Sequence, residues 1–126
     1  MLTITDQLNR SIELPATPQR IISLVPSLTE LLFDLGLEEE VVGITKFCVH
    51  PQEWFRTKTR VGGTKNIKAD TIASLQPDLV LANKEENVKE QVDILTPIAP
   101  VYTSNINTLD DALVVIAQIG RMTGKE

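Results

Sequence analysis

Cys48 and His50 are the two residues of this sequence best suited to metal or nucleophilic chemistry. A thiolate and an imidazole are soft metal ligands, and a thiol beside a base can act as a nucleophile. Because one residue separates them, an extended backbone would place both side chains on the same side. A metal held by protein alone usually needs three or four ligands, and the chain has one cysteine and one histidine. The pair is therefore at most a weak metal site that gives one axial ligand to a chelated metal. The alternative is a buried free cysteine with a structural histidine before Pro51.

A glycine-rich segment, Gly62-Gly63-Thr64-Lys65, invites comparison with phosphate-binding loops. It lacks the glycine four residues before a Gly-Lys-Ser/Thr triplet, so nucleotide hydrolysis is not predicted. The glycines could let the backbone approach a ligand, or could simply make a turn. Lys65 and Lys84 could neutralise an anionic ligand, although lysines are more often solvated. Covalent catalysis by Cys48 is not predicted either, because nothing marks an orienting acid or an oxyanion hole.

Composition limits the possible functions. The chain has 126 residues, of which 42% are hydrophobic and 23% charged, as is typical of a soluble globular chain of about one domain. Its formal net charge of −5 and the lack of a basic run argue against binding to nucleic acid. No segment approaches the ~20 apolar residues of a membrane-spanning helix. The first residues do not resemble a signal peptide, so we expect either a cytoplasmic protein or one whose leader has been removed.

Short apolar runs alternate with segments of helical spacing from residue 20 onward. The pattern predicts strands at 21–25, 41–45, 60–62, 78–82 and 100–103, and helices at 27–36, from 51, at 69–75, 84–95 and 108–122. Buried strands that alternate with helices indicate a parallel sheet with helices on both faces. The predicted fold class is therefore α/β, a Rossmann-like lobe preceded by a hairpin or an extended arm at residues 1–19.

Two of the predicted helices begin with capping signals. In Ser27-Leu28-Thr29-Glu30, the Ser27 hydroxyl would accept from a first-turn amide and Glu30 would reach back to the cap. Asn83 would cap a helix that starts at Lys84 and has acidic residues in its first turn. Both helices follow strands, at the edge where open α/β sheets bind ligands. Ser27 and Thr29 could thus bind an anionic group, or could serve only as helix caps.

Several blocks of the sequence, in this order, resemble one family. They are Arg20-Ile21-Ile22-Ser23-Leu24-Val25-Pro26-Ser27-Leu28-Thr29-Glu30, Val61-Gly62-Gly63 and Leu75-Gln76-Pro77-Asp78-Leu79-Val80-Leu81-Ala82. The blocks and their spacing are similar to those of the periplasmic substrate-binding proteins of ABC importers for cobalamin, haem and iron-siderophore complexes. In that family one long helix joins two α/β lobes. The resemblance implies a ligand-binding lobe at residues 20–106 and the start of the interlobe helix at 107–126, with the second lobe absent.

The resemblance also implies where the functional residues lie. The ligand cleft would be lined by loops at the carboxyl edge of the sheet, with these candidates: Ser27, Leu28, Thr29, Phe47, Cys48, His50, Gly63, Thr64, Lys65, Asn83 and Lys84. Phe47 could stack on a planar macrocycle or pack in the core, and Cys48 with His50 could complete a site with the second lobe. Asp70 would dock onto the membrane permease, or would be only a first-turn acid favoured by the helix dipole.

The function implied by the resemblance is capture of a metal chelate and its delivery to an ABC permease. Such a protein is not an enzyme, has no cofactor of its own, does not span the membrane and works in the periplasm or cell envelope. The chelate would be its transported ligand. An alternative with the same fold is a soluble sensor or chaperone for a metal or chelate that works without a permease.

Overall fold

The computed structural model describes residues 2–46, 48, 52–63, 66–85, 87 and 89–125. Within these residues the strands are β1 (Leu2–Thr5), β2 (Ser11–Leu14), β3 (Ile21–Ser23), β4 (Val41–Ile44), β5 (Thr59–Arg60), β6 (Leu79–Asn83) and β7 (Val101–Ser104). The helices are α1 (Pro26–Asp34), α2 (Gln52–Thr57), α3 (Ala69–Ser74), α4 (Lys89–Leu95) and α5 (Leu109–Thr123).

Strands β3 to β7 form one parallel sheet in the order β5-β4-β3-β6-β7. Every residue of β3, β6 and β7 is buried, as expected of parallel strands that helices cover on both faces. The predicted α/β fold is therefore confirmed. Along the chain, β3 is the first strand of this sheet, and it lies in the middle. β4 and β5 are added on one side of it and β6 and β7 on the other, so the strand order reverses between β3 and β6. Crevices that bind ligands lie at such reversal points, beyond the carboxyl ends of the strands.

The two faces of the sheet pack into two separate cores. Successive strand residues point to opposite faces, so Ile21 belongs to one hydrophobic cluster and Ile22 to the other. The first cluster joins the sheet to α1, α5 and the hairpin, and the second joins it to α3 and α4. Because both faces are covered, a ligand can approach the strands only at an edge of the sheet.

The first two strands form a hairpin whose turn is held by a buried carboxylate. β1 and β2 pair antiparallel, and Oδ1 of Asp6 accepts the backbone amides of Leu8 and Arg10 at 2.9 and 3.0 Å. Oδ2 of Asp6 accepts the amide of Thr103 in β7 at 3.1 Å. Asp6 therefore closes the turn and also joins the hairpin to the sheet. Of the two forms predicted for this segment, the hairpin is the one present.

The predicted capping box at α1 is wrong. The helix begins at Pro26, Val25 is its N-cap, and no side chain caps it. Proline is well suited to the first helical turn because its φ is already helical and its missing N–H would have no partner there. The helix thus starts before Ser27, whose exposed side chain lies inside the first turn.

The predicted helix from Lys84 to Leu95 is shorter than expected, because α4 begins only at Lys89. Asn83 is the last residue of β6 and not a helix cap. Its Oδ1 accepts the backbone amide of Glu85 at 2.8 Å, and its backbone amide donates to Oδ1 of Asn87 at 2.8 Å. Asparagine side chains readily form such local turns in place of a helix.

Helix α5 has the best-defined ends in the lobe. Thr108 accepts the amide of Asp111 at 3.1 Å, and the Asp111 carboxylate accepts the amide of Thr108 at 3.2 Å, which together form a capping box. At the other end Gly124 adopts φ 74°, the left-handed conformation that glycine provides at low cost.

None of the helices in the described part of the chain has both the length and the apolar character needed to cross a membrane. The division into residues 1–19, 20–106 and 107–126 stays a prediction.

Candidate functional site

The candidate site is the carboxyl edge of the parallel sheet. Parallel strands end on the same edge, so the segments that follow β3, β4, β5 and β6 are neighbours there. Backbone contacts join them: the amide of Lys46 after β4 donates to the oxygen of Gly62 after β5 at 2.8 Å. Nδ2 of Asn87 after β6 donates to the oxygen of Leu24 after β3 at 3.4 Å. The fold therefore brings together the described parts of the four segments that the sequence selected.

A cluster of buried polar side chains lies beneath this edge. The hydroxyl of Thr29 is 2.8 Å from that of Ser23 and 3.1 Å from the sulfur of Cys48, and the hydroxyl of Thr45 is also 3.1 Å from this sulfur. All four side chains are fully buried. Thr29 and Cys48, predicted as ligand contacts, are thus covered in this structure because their polar atoms satisfy one another inside the core. Cys48 is a buried free cysteine, which is the alternative that the sequence also allowed.

Ser27 and Leu28 line a shallow groove between α1 and α5. The groove has a volume of about 370 Å³, and Ile106, Val115 and Ile116 form much of its other wall. Ser27 is exposed and Leu28 is buried. Ser27 is therefore accessible to a ligand at the edge, whereas Leu28 contributes mainly to the core.

The turn after β6 combines a buried amide with an exposed lysine. Nδ2 of Asn83 donates to the hydroxyl of Ser104 at 2.9 Å, and Asn83 is only 9% exposed. The backbone of Lys84 donates to the oxygen of Ser104 at 2.9 Å, and its side chain is exposed. Both residues line a cavity of about 360 Å³ together with Leu8, Arg10 and Val92. Asn83 thus fixes the shape of the turn, and Lys84 is the residue that can approach a charged ligand.

The ends of β4 and β5 enclose a groove of about 280 Å³ that we call the basic groove. It is lined by Lys46, Arg60, Gly62, Gly63, Asn66 and Lys68. The Arg60 guanidinium lies over the ring of Phe55, 4.9 Å from its centroid, a cation–π contact that holds it in place. The sequence selected Gly63 but missed Arg60 and Lys68. The predicted strand at 60–62 would begin at Arg60, whereas β5 ends there, and Lys68 is the N-cap of α3 at the same edge.

The loop at the base of the basic groove has a tight conformation that depends on glycine. Gly62 has φ 105°, and a β-carbon on it would come within 2.4 Å of the oxygen of Asn66. Gly62 also forms an antiparallel bridge with Ile67, and the amide of Gly63 donates to the oxygen of Asn66 at 3.0 Å. The sequence left open whether these glycines make a turn or admit a ligand, and at Gly62 the turn is evident.

Four candidate residues, Phe47, His50, Thr64 and Lys65, lie outside the described residues, so their roles stay predictions. Asp70 is exposed in the first turn of α3, as the sequence predicted for its place, and its docking role is likewise a prediction. In the part of the chain that the structure describes, no group of three or more His, Cys, Asp or Glu side chains is arranged to hold a metal ion.

Comparisons with known proteins agree on one family. The profile of the periplasmic binding protein family matches residues 21–126. The chain is 31% identical over 130 residues to an uncharacterized ABC transporter substrate-binding lipoprotein, YvrC, of Bacillus subtilis (strain 168), a match that covers 99% of this chain and 40% of that protein. It is 31% identical over 108 residues to the vitamin B12-binding protein of Vibrio campbellii, covering 85% of this chain and 39% of the relative.

A solved structure gives the same fold. The petrobactin-binding protein YclQ of Bacillus subtilis superposes with a TM-score of 0.87 at 24% identity, over 99% of this chain and 46% of that one. The chain corresponds to the amino-terminal part of such proteins. It spans about two fifths of the length of the curated relatives that it matches. The matched family and these relatives are binding proteins and not enzymes.

Proposed function

Because this chain belongs to the periplasmic binding protein family, we propose that it forms one wall of a cleft that captures a metal chelate for an ABC permease. The chelate is cobalamin, haem or a ferric siderophore, and the protein works in the periplasm or cell envelope. Relatives named as an ABC transporter substrate-binding lipoprotein and as vitamin B12-binding proteins support this role.

The observation that carries the proposal is the convergence of four loops at one open edge. The turns after β3 and β6 meet at the point where the strand order reverses, and the basic groove lies beside them. This is where an open α/β sheet binds its ligand. Exposed Ser27 and Lys84 and the cations of the basic groove supply polar contacts, while the covered faces of the sheet keep the wall rigid.

Direct binding measurements test the proposal. The absorption spectrum of the purified full-length protein is recorded first, because bound haem, corrin or ferric chelate absorbs visible light. Calorimetric titration with cyanocobalamin, haemin and a panel of ferric siderophores follows. We expect at least one of them to bind, and Ser27→Trp to weaken that binding by blocking the edge. Ser74→Trp is the matched control, since Ser74 is exposed at the far end of α3. Equal effects of the two substitutions, or no binding at all, would contradict the proposal.

Docking to the permease is proposed to use Asp70. Its exposed carboxylate stands in the first turn of α3, where it can meet a basic side chain. We expect Asp70→Arg to abolish stimulation of the ATPase activity of the reconstituted permease while chelate binding is kept. Asp110→Arg is the control, because Asp110 is also an exposed first-turn acid, on α5. If both variants stimulate the permease like the unmodified protein, Asp70 has no role in docking.

A further inference from the structure

The basic groove stands out against the charge of the whole chain. The protein has 17 acidic and 12 basic residues, yet Lys46, Arg60 and Lys68 line this groove and none of its described lining residues is a carboxylate. Neither Arg60 nor Lys68 forms an ion pair with another of the described residues. Two such cations beside one concavity in an acidic protein create a local positive potential that attracts anions.

Hydrogen bonds hold the backbone that forms this groove. Its base is held by the bond from the Lys46 amide to the oxygen of Gly62 and by a bond of 2.8 Å from the Lys68 amide to the oxygen of Val61. Arg60 ends strand β5 and is stacked on Phe55. The backbone of Lys46 and Lys68 is therefore hydrogen-bonded at the groove, and the side chain of Arg60 is oriented by its contact with Phe55. An ordered guanidinium loses little freedom when it binds an anion, and its planar fork suits a carboxylate.

We propose that the basic groove makes this lobe selective for ferric chelates with net negative charge, whose carboxylate or catecholate oxygens it binds. The inference rests on the proposed function, since it narrows the class of chelate that the same edge captures. Uncharged corrin amides would gain less from these cations, and aromatic residues that could stack on a macrocycle make up only 4% of the chain. A volume of about 280 Å³ admits one arm of a chelate and not a whole macrocycle.

The test compares chelates of different charge on the same protein. Calorimetric titrations use a ferric tris-catecholate, ferric citrate, the ferric complex of a tris-hydroxamate without net negative charge, and cyanocobalamin. We expect the two anionic chelates to bind at least roughly tenfold more tightly than the other two at low ionic strength, and added salt to reduce this advantage. Inorganic phosphate is a further titrant. If it binds as tightly as the anionic chelates, the groove takes simple anions only and the inference is overturned.

Charge-removing variants locate the effect. Arg60→Gln and Lys68→Gln should each weaken the anionic chelates by roughly two- to fivefold, as for partly exposed ion pairs, and should weaken the uncharged ligands less. Lys125→Gln is the matched control, because Lys125 is exposed next to Gly124, which lies beside Thr17 at the opposite edge of the sheet. Arg60→Lys keeps the charge and should recover part of the affinity. Thermal unfolding of each variant checks that the fold is intact.

The outcomes separate this inference from the proposed function. If cobalamin or the hydroxamate complex binds as well as the anionic chelates, or the groove variants behave like Lys125→Gln, the selectivity is overturned while chelate capture stands. If no chelate binds, both are overturned.

Discussion

The hydroxyl of Thr29 lies 3.1 Å from the sulfur of Cys48 beneath the carboxyl edge of the sheet, and neither side chain has any exposed surface. Thr29 belongs to α1 and Cys48 to the segment after β4, so this contact joins the first helix to the end of the neighbouring strand. The same sulfur is 3.1 Å from the hydroxyl of Thr45. The thiol therefore has polar partners on two sides and belongs to the packed interior.

Burial of Cys48 predicts that the native protein protects its thiol. A disulfide reagent needs direct access to the sulfur, so we expect labelling to be at least roughly a hundredfold slower in the folded protein than in denaturant. Cys48 is the one cysteine of the chain, so the chromophore that an aromatic disulfide reagent releases on reaction reports this thiol alone. Labelling of the native protein at the rate of the denatured protein would show that the sulfur is accessible and that the contact with Thr29 is not maintained.

The capping box of α5 predicts a loss of stability for Thr108→Ala. The threonine hydroxyl satisfies a first-turn amide that would otherwise lack a partner, so removing it should lower the free energy of unfolding by about 1 kcal/mol. Ser27→Ala is the control, because Ser27 also has a hydroxyl near the start of a helix but does not cap it. Urea unfolding monitored by circular dichroism measures both. A larger loss for Ser27→Ala would mean that α1 is capped as the sequence first indicated.

The sheet was the part of the fold that could best be predicted from the sequence. The strand predicted at 78–82 has nearly the same bounds as β6, because a parallel strand covered on both faces has a nearly continuous apolar run, here at 79–82. The residue at which a helix begins was harder to predict. Ser27 and Asn83 are both good caps by type, but Pro26 shifts the start of α1, and the bonds of Asn83 with Glu85 and Asn87 delay α4.

The candidate site was predicted as an edge but not as a set of contacts. The topology alone brings Gly63, Asn83 and Lys84 to the same edge, so the position of their segments could be predicted. Whether a side chain at that edge points outward depends on packing between distant elements. Cys48 turns inward because hydroxyls from α1 and from the end of β4 meet it there. No local pattern in the sequence contains that information.

The two sides of α5 predict effects of different size for the same substitution. Ile119 is fully buried in the first core, whereas Ile116, three residues earlier, is 47% exposed. We expect Ile119→Ala to lower the free energy of unfolding by about 2–4 kcal/mol through lost burial and a cavity. Ile116→Ala should change it by less than about 1 kcal/mol, because alanine also favours the helix. Urea titrations of the two variants form a matched pair. Equal losses would mean that the exposed side of α5 is covered in solution.

Tyr102 predicts a loss of stability at alkaline pH. Burial, and to a smaller extent the charge of Asp6, raise the pKa of Tyr102 above its usual value of 10.0, and its hydroxyl donates to Oε1 of Gln118. Below pH 10.0 the tyrosine is protonated in both the folded and the unfolded state, so it contributes no pH dependence. Above that value the unfolded chain releases the proton and the folded chain keeps it. The free energy of unfolding should then fall by up to about 1.4 kcal/mol per pH unit.

The measurement compares the unmodified protein with Tyr102→Phe in urea at neutral and at alkaline pH. At neutral pH the variant should be less stable by about 1 kcal/mol, because Gln118 loses a hydrogen bond. Above pH 10.0 the difference should shrink and then change sign, since phenylalanine has no proton to release. Burial lowers the pKa of Lys58, which acts in the opposite direction, but this contribution is common to both proteins and cancels. Tyr102 is also the chain's one tyrosine, so the rise of tyrosinate absorption should coincide with unfolding. Tyrosinate that forms near pH 10.0 while the circular dichroism stays native would show that the hydroxyl is open to solvent.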